Sequence, residues 1–416
     1  MKKLMAALLS ATLAASLLAG CAEPKQTETK TPAAPAAETK KVEVPGVTDT
    51  EVKVGGFAAQ SGPVAPIGVS VRKGFEAYIK YVNDNGGVNG RKINIVKVVD
   101  EQFDAGKGLA ASKELVESDK VFALAPVLGT PGVQASMDFW VEQKVPVVYP
   151  MTGIEQTAHP AKNNVFAVQP NNYDEAKILT QYAIKDLGKK KVAVLYQNSD
   201  MGKQGLKGVQ EQVKAAGGEL VYEASHEAKA VDFATPVLNA KANGAEAVII
   251  YTTLAETAGI LKEMAKQGLT AVPLTSYVNA DPVNLPKLAG EAAVGLVTGG
   301  WVPVADPTNP DIKKFNEIYA KYNNGEQPNA YSTSGFIAAE LLVKGLQDSG
   351  KDVTREKFIA ALEALKNWSG IMAKDISYGP GDRRGSTAFY LNKVEKNAKG
   401  EVVMTQINKD AYRLTK

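Results

Sequence analysis

Residues 121–153, VFALAPVLGTPGVQASMDFWVEQKVPVVYPMTG, carry the pattern of a strand, a helix and a second strand. Two apolar runs, at 121–128 and 145–149, have the length and composition of buried strands. Between them, apolar residues recur with the spacing of one helix face, at Val133, Met137, Trp140 and Val141. This order of elements predicts a βαβ unit of a buried parallel sheet.

The joint between the first strand and the helix is Gly129-Thr130-Pro131. Gly129 permits a tight exit from the strand, Thr130 occupies the expected N-cap position, and Pro131 suits the first helical position. A helix start at the carboxyl end of a parallel strand presents unpaired N–H groups, which favour an anionic or polar ligand group. The alternative is that Thr130 only caps the helix. A second loop after the next strand, at 150–153, lies at the same sheet edge and favours the binding interpretation.

Composition excludes several classes of function. A chain of 416 residues is long enough for two domains. The formal charge is +3, and removal of Lys2 and Lys3 with a signal segment leaves +3 − 2 = +1, so no nucleic-acid partner is indicated. One cysteine and two histidines leave little material for zinc binding or histidine-based catalysis, and no nucleotide-binding or protease motif is present. We therefore expect no cofactor, no metal site and no catalytic residue.

The N-terminus has the features of an exported lipoprotein. Residues 1–20 combine two lysines with an apolar run and small residues, as in a secretory signal. Leu18-Ala19-Gly20-Cys21 resembles the bacterial lipoprotein box, in which the cysteine is lipidated. Residues 21–48, rich in Ala, Pro, Glu, Lys and Thr, are predicted to be a flexible tether. The expected location is the membrane surface, in the periplasm or on the outer face of the cytoplasmic membrane.

From residue 49 onward, predicted strands and helices alternate. A first block reaches about residue 169, with a last extended run at 164–169, and a second block begins at Lys191, with strands expected among others at 247–251 and 272–275. Two doubly wound α/β sheets are therefore predicted. Three further helices are expected at 311–322, 331–346 and 355–365. A hairpin with its turn at 397–400 is expected to close the chain.

Several short motifs, taken in order, resemble the solute-binding proteins of bacterial ABC importers, of the leucine/isoleucine/valine-binding type. They are VKVG at 52–55, SGP at 61–63, GGVNGRK at 86–92, VPV at 145–147 and KVAVLY at 191–196. The resemblance implies a type I periplasmic binding protein fold, with two lobes joined by a three-strand hinge. Lobe one would hold 49–170 and 303–380, and lobe two 171–302 and 381–416. It also implies a monomer that closes around a small ligand and delivers it to a membrane permease.

The resemblance also implies a set of ligand-binding residues. Thr130 aligns with the family hydroxyl that binds the ligand carboxylate, and the other expected lining residues are Ser61, Ile67, Gly129, Tyr149, Met151, Thr152, Gly153, Met201, Leu254, Tyr277 and Tyr331. Any of these Met and Tyr residues could instead fill the core. Thr253 and Glu256 also form the pattern of a capping box, which would make them structural.

One departure bears on the ligand. Amino-acid binders of this type place a carboxylate after a lobe-two strand to hold the ligand ammonium, whereas TSYVN at 275–279 has no acid before Asp281. An enclosed ammonium without a counter-charge is costly. The predicted ligand is therefore a small carboxylic acid or amide with an apolar or aromatic body. A branched-chain amino acid binding protein, a sensor that serves a membrane receptor and an enzyme on the same fold remain alternatives.

Overall fold

The computed structural model describes residues 43–303, 308–408 and 410–414. The predicted signal segment, the lipidation site Cys21 and the tether up to residue 42 lie outside these residues. Residues 43–48, which were also assigned to the tether, pack against the first lobe, because Val44 and Val47 contact its apolar core. The Lys53 N–H donates to the Gly46 carbonyl at 2.7 Å and fixes this segment beside the first strand.

The first lobe is built on a parallel sheet. Its strands are β1 (Glu51–Phe57), β2 (Lys92–Val99), β3 (Ala123–Leu128), β4 (Val147–Val148), β5 (Pro150–Met151) and β6 (Val165–Phe166). They follow the order β2-β1-β3-β4-β6, with β5 paired to β3. The connecting helices are α1 (Ala65–Asp84), α2 (Ala105–Lys113) and α3 (Thr130–Glu142).

The βαβ unit predicted at 121–153 is confirmed as β3, α3 and β4, with two differences. Val133, Met137 and Trp140 are buried, but Val141 is 42% exposed and lies off the core face. The second apolar run is divided by Tyr149, whose φ of 53° interrupts the pairing between β4 and β5. The break turns the chain so that β5 pairs with the end of β3, with Met151 opposite Leu128.

The second lobe repeats the pattern. Its parallel strands are β7 (Lys191–Gln197), β8 (Glu219–His226), β9 (Ala247–Tyr251), β10 (Val272–Thr275) and β11 (Val297–Gly300). The helices of this part of the chain are α4 (Asn172–Gln181), α5 (Asp200–Ala216), α6 (Ala234–Ala242), α7 (Leu254–Gln267) and α8 (Asn284–Ala289). The β9 and β10 bounds are those predicted, because each strand is a short apolar run, and every residue of β9 is buried.

The chain then returns to the first lobe. Helices α9 (Pro310–Tyr322), α10 (Ala330–Asp348) and α11 (Arg355–Glu363) contribute apolar side chains to the same core as β1 and α1. A short antiparallel pair, β12 (Ile376–Gly379) and β13 (Asp382–Ser386), follows, and Arg383 packs over the Phe166 ring. Residues 382–386 therefore lie beside the first sheet, although the lobe boundary was predicted at 380/381, and the boundaries between the lobes stay a prediction.

The last two strands, β14 (Tyr390–Lys396) and β15 (Val402–Gln406), form the expected hairpin. They join the second sheet antiparallel, which gives the order β15-β14-β11-β10-β9-β7-β8. In the described part of the chain, no helix has both the length and the apolar character needed to cross a membrane.

Both sheets reverse direction at equivalent places. In the first sheet the order changes between β1 and β3, and in the second between β7 and β9. Loops at the carboxyl ends of the strands diverge at such a point and leave a crevice, where open α/β sheets bind ligands. The expected ligand crevices therefore lie at the loops that follow β1, β3, β7 and β9.

Close helix contact positions one side of this crevice. Gly74 of α1 and Gly335 of α10 face the partner helix, and a Cβ at either would lie 1.9 Å from a backbone oxygen of that helix. Only glycine permits this approach. The N-terminal ends of α1 and α10 are consequently held side by side, and the Asn329 amide donates to the Ser70 hydroxyl at 3.0 Å.

Candidate functional site

A cavity of about 510 Å³ lies where the switch-point loops of both lobes meet. This volume is within the range of small-molecule sites, roughly 300–1,000 Å³. The lining includes Val64, Ile67, Val71, Phe103, Leu128, Gly129, Thr130, Met151, Thr152, Gly153 and Gln169, and further Met201, Thr253, Leu254, Tyr277, Val278, Ala280, Asp281, Trp301, Ala330, Tyr331 and Ser334. Most of these side chains are apolar, and the polar groups are few.

Two hydroxyl groups mark one polar part of the wall. The Oγ1 atoms of Thr130 and Thr152 lie 2.7 Å apart, so one hydroxyl donates to the other and one proton remains for a further acceptor. The prediction that Thr130 is the N-cap of α3 is wrong, because Thr130 is the first residue of the helix. Gly129 takes the cap position with a φ of 112°, a conformation that suits glycine. The first N–H groups of α3 have no acceptor within the helix, so this wall offers several donors.

A hydrogen-bonded chain crosses from one lobe to the other at the wall of the cavity. The Tyr149 hydroxyl donates to Gln169 Oε1 at 3.0 Å, and Gln169 Nε2 donates to the Tyr277 hydroxyl at 2.6 Å. Burial and the nearby Glu175 carboxylate raise the pKa of Tyr277 well above its ordinary value, so its hydroxyl keeps its proton. Tyr149 was predicted to line the site, but its side chain is fully buried and lies outside the lining. The Tyr149 hydroxyl is connected to the cavity wall by its hydrogen bond to Gln169.

A strained turn places an aromatic ring at the cavity. Gln102 and Phe103 both have positive φ, of 55° and 56°, which bulky residues rarely adopt. The buried Glu101 carboxylate accepts the Asp104 N–H at 3.0 Å and closes the turn. Burial raises the pKa of Glu101. The Phe103 ring, which is 42% exposed, lies beside Gly129 at the start of α3.

Asp281 is the acidic residue of the lining, among the residues that the structure describes. Its Oδ1 accepts the N–H groups of Val283 at 2.9 Å and Asn284 at 2.8 Å, and its Oδ2 accepts Asn284 Nδ2 at 2.8 Å. The carboxylate is therefore engaged in the turn that begins α8. Tyr331 lies near enough for Asp281 to add to the effect of burial and raise the pKa of its hydroxyl.

Ser61 is the other predicted residue outside the lining. Its hydroxyl donates to Asp100 Oδ2 at 2.6 Å. This bond and the Gln60 N–H lower the pKa of Asp100, so the aspartate stays ionised and holds the loop after β1. Ser61 therefore fixes the loop that carries Val64 and Ile67 to the cavity.

The structure brings the ten remaining predicted residues together, namely Ile67, Gly129, Thr130, Met151, Thr152, Gly153, Met201, Leu254, Tyr277 and Tyr331. Met201 and Leu254 lie in the first turns of α5 and α7, the helices that follow β7 and β9, as the topology requires. Thr253 also lines the cavity, while its N–H donates to Glu256 Oε2 at 3.2 Å in the predicted capping box. The role of the ten predicted lining residues in ligand binding stays a prediction.

Sequence reasoning missed Phe103, Gln169 and Trp301. Phe103 lies in the loop after β2, at the same sheet edge as Thr130, but its place depends on the left-handed backbone at 102–103, which no local pattern indicates. Gln169 and Trp301 lie where the chain passes between lobes, in segments without periodicity. Their place in the lining follows from the tertiary structure alone.

Comparison with known proteins agrees with this geometry. A family model described as "Periplasmic binding protein" matches residues 51–400. The Leu/Ile/Val-binding protein homolog 1 of Brucella suis is 26% identical over 365 residues, which cover 84% of this chain and 92% of that protein. Such a bilobed solute-binding protein is the class that the two sheets and the shared cavity define.

Solved structures give the same fold. The fatty acid ABC transporter substrate-binding protein from Thermomonospora curvata superposes with a TM-score of 0.73 at 23% identity, covering 89% of this chain and 94% of its own. An R. palustris solute-binding protein in complex with benzoate gives a TM-score of 0.70 at 21% identity, covering 88% and 98%. The chain belongs to the periplasmic binding protein family.

Proposed function

We propose that this chain is the extracytoplasmic solute-binding component of an ABC importer, and that it encloses a small carboxylic acid or amide with an apolar or aromatic body between its lobes. The observation that carries the proposal is a cavity lined by both lobes, apolar over most of its wall, with a hydroxyl pair at the start of α3. Ligand contacts to both lobes supply the differential affinity that favours a closed state.

The carboxylate or amide group would bind at the Thr130–Thr152 pair. Hydroxyl donors and the free N–H groups at a helix start suit an anion or a carbonyl oxygen. The apolar body would lie against side chains of both lobes, chiefly Ile67, Leu128, Met151, Met201, Leu254 and Trp301. Two structures with the same fold support this ligand class, because one is named as a fatty acid ABC transporter substrate-binding protein and the other is a complex with benzoate.

A branched-chain amino acid is the second candidate, and two observations favour it. Asp281 lies in the lining, where a carboxylate could attract a ligand ammonium. The curated relative from Brucella suis is named as a Leu/Ile/Val-binding homolog. Against this, both Asp281 oxygens already accept hydrogen bonds from the turn before α8. We therefore place the acid or amide first.

A matched ligand set separates the two candidates. Leucine and 4-methylpentanoate share a side chain and a carboxylate and differ in the ammonium. The amide 4-methylpentanamide tests whether the carboxylate charge is needed. Benzoate and phenylacetate test an aromatic body. A ligand that binds the folded form raises the thermal midpoint, and we expect the acids or the amide to give larger shifts than leucine at equal concentration. A larger shift with leucine would reverse the order of the candidates.

The binding is proposed to leave the ligand unchanged. Incubation of the purified protein with the tightest-binding compound, followed by mass spectrometry, should recover it intact, and release of a new product would refute this.

Lipidation of Cys21 and anchoring at the membrane are part of the same proposal. They predict that labelled palmitate is incorporated into the wild-type chain and not into a Cys21→Ala variant.

A further inference from the structure

Glu175 is a fully buried carboxylate in the first turn of α4. It is outside the cavity lining, but its partners belong to the segment that forms the wall. Glu175 Oε1 accepts the Tyr277 N–H at 2.6 Å, and Oε2 accepts the Ser276 hydroxyl at 2.8 Å and the Tyr251 hydroxyl. One side chain thus connects α4, the end of β9 and the loop after β10.

Tyr277 transmits this fixed position to the cavity. Its ring lines the wall and meets the Trp301 ring edge to face, with centroids 5.0 Å apart and an interplanar angle of 89°. Its hydroxyl accepts the Gln169 amide from the first lobe at 2.6 Å. A displacement of the Tyr277 backbone would therefore disturb a contact between lobes and the packing of Trp301 together.

We propose that Glu175 is a positioning residue for the cavity, because its carboxylate holds the Tyr277 segment from behind in the place where that residue meets Gln169 and Trp301. The inference deepens the proposed function, and its link to ligand affinity rests on that function. Its structural part, the control of Tyr277 and Trp301 by Glu175, stands without any ligand.

The surroundings of Glu175 allow its carboxylate to take up a proton close to neutral pH. Burial raises its pKa to about 7, against hydrogen bonds from Tyr251, Tyr277 and Ser276 that favour the ionised form. The titratable groups that face it are Tyr251 from β9 and Tyr277. On the outer side of α4, Lys177 lies over the Tyr173 ring, as does Lys207 from α5, and Asp174 lies 3.8 Å from His159.

Protonation would rearrange the network without breaking it. The Tyr251 hydroxyl lies within reach of Glu175 and also of the Asn172 carbonyl, at 2.8 Å. A protonated Glu175 can donate to the Tyr251 oxygen while Tyr251 donates to Asn172. The bond from the Tyr277 N–H then loses its charge assistance, which roughly halves its strength. The Tyr277 segment should become less firmly held as Glu175 takes up its proton.

Trp301 provides a direct readout. The full chain labelled with 5-fluorotryptophan should give three ¹⁹F resonances, since the sequence has three tryptophans, and Trp301→Phe assigns one of them. In the unliganded wild type, we expect the Trp301 resonance to move with pH around a midpoint near 7. Glu175→Gln should abolish this movement, and Glu175→Ala should shift or broaden the resonance at every pH.

Glu340→Ala is the matched control. Glu340 is also a buried carboxylate with a pKa raised to about 7 by burial, and it accepts three backbone N–H groups, from residues 371–373. Its loss should lower stability in a similar way and leave the Trp301 resonance in place. If Glu175→Ala does not fold, the pH profile of Glu175→Gln decides. A wild-type profile in that variant, or an equal Trp301 change in the Glu340 control, would overturn the proposal.

The affinity test uses 4-methylpentanoate as probe. Glu175→Ala should weaken its binding about fivefold or more, the consequence of leaving buried donors unpaired, while Glu175→Gln should restore most of it and Glu340→Ala should not change it. If the wild type binds neither the acids nor the amide of the panel, the proposed ligand class fails, and the Trp301 resonance still decides the role of Glu175. Unchanged affinity in Glu175→Ala would overturn the link to binding.

Discussion

Replacement of Thr130 by valine tests the polar part of the proposed ligand site. Valine keeps the shape of the side chain and removes the hydroxyl whose Oγ1 lies 2.7 Å from Thr152 Oγ1. The loss leaves a bound carboxylate or amide oxygen with one donor fewer in a cavity that is mostly apolar. Such a loss costs about 1–3 kcal/mol, so the dissociation constant should rise roughly 5- to 150-fold.

The fold should tolerate this change. Thr152 Oγ1 still accepts the Ile154 N–H, at 3.4 Å, and Thr130 is not the side-chain cap of α3. The Val133 N–H to Gly129 carbonyl bond, at 3.0 Å, holds the first turn and needs no hydroxyl. We therefore expect a thermal midpoint within a few degrees of the wild type, because a change of about 1 kcal/mol shifts a domain of this size by roughly 2–4 °C.

Isothermal titration with the tightest-binding acid or amide measures the effect. Thr405→Val is the matched control, since the Thr405 hydroxyl donates to Glu395 at 2.8 Å on the surface of the last hairpin. The control should bind as the wild type does. Unchanged affinity in Thr130→Val would remove this hydroxyl from the ligand contacts, and equal losses in both variants would show that the effect is not local.

Four further changes have expected outcomes. Gly153→Ala should weaken binding without unfolding the chain, as measured by titration and circular dichroism, because its Cβ would lie 2.5 Å from the Asn172 side-chain oxygen and 2.7 Å from the hydroxyl of Tyr277, which lines the cavity. Asp281→Asn should strengthen binding of an acid and weaken binding of leucine, so the ratio of the two affinities reports the ligand class. Gly74→Ala should lower the free energy of unfolding in urea by about 3 kcal/mol or more through overpacking, since its Cβ would lie 1.9 Å from a backbone oxygen, whereas Gly106→Ala, with 3.3 Å to its nearest side-chain atom, should not lower it. Burial raises the pKa of Glu340 from 4.5 to about 7, so the folded state binds this proton more tightly than the unfolded state. The resulting contribution to stability, at most about 3 kcal/mol, is present below pH 4.5 and is lost as the pH rises through 7. Between pH 5 and pH 8, the free energy of unfolding in urea should therefore fall less in Glu340→Gln than in the wild type.

The fold could be predicted because buried parallel strands and amphipathic helices leave simple patterns. The runs at 247–251 and 272–275 matched β9 and β10, since every residue of β9 is buried and the run has a clear beginning and end. The run at 164–169 was longer than β6, where two residues pair, Val165 and Phe166. Apolar composition continues there because residues 167 and 168 pack in the crossing to the second lobe.

Topology predicts part of the site, because the loops after β1, β3, β7 and β9 must meet at one edge. Thr130 was found in this way, whereas Met201 and Leu254 were found through the family resemblance. Phe103 was not, because its place depends on a left-handed backbone that its residue type does not favour and that the Glu101 carboxylate helps to close. Gln169 depends on the relative position of the lobes, which no local pattern records.

Asp281 bears on the ligand in a way that residue order alone did not reveal. The expected carboxylate was absent at 275–279, and the acid that follows does reach the cavity. It arrives with three hydrogen bonds from the start of α8, so its charge is already partly compensated within the lobe. A ligand ammonium there would meet a weakened partner and lose its own hydration. A neutral ligand such as an amide has no such cost, and an anionic ligand exchanges its hydration for the donors at the start of α3, in the part of the lining that holds Thr130 and Thr152. The apolar side chains of both lobes are then suited to the ligand body.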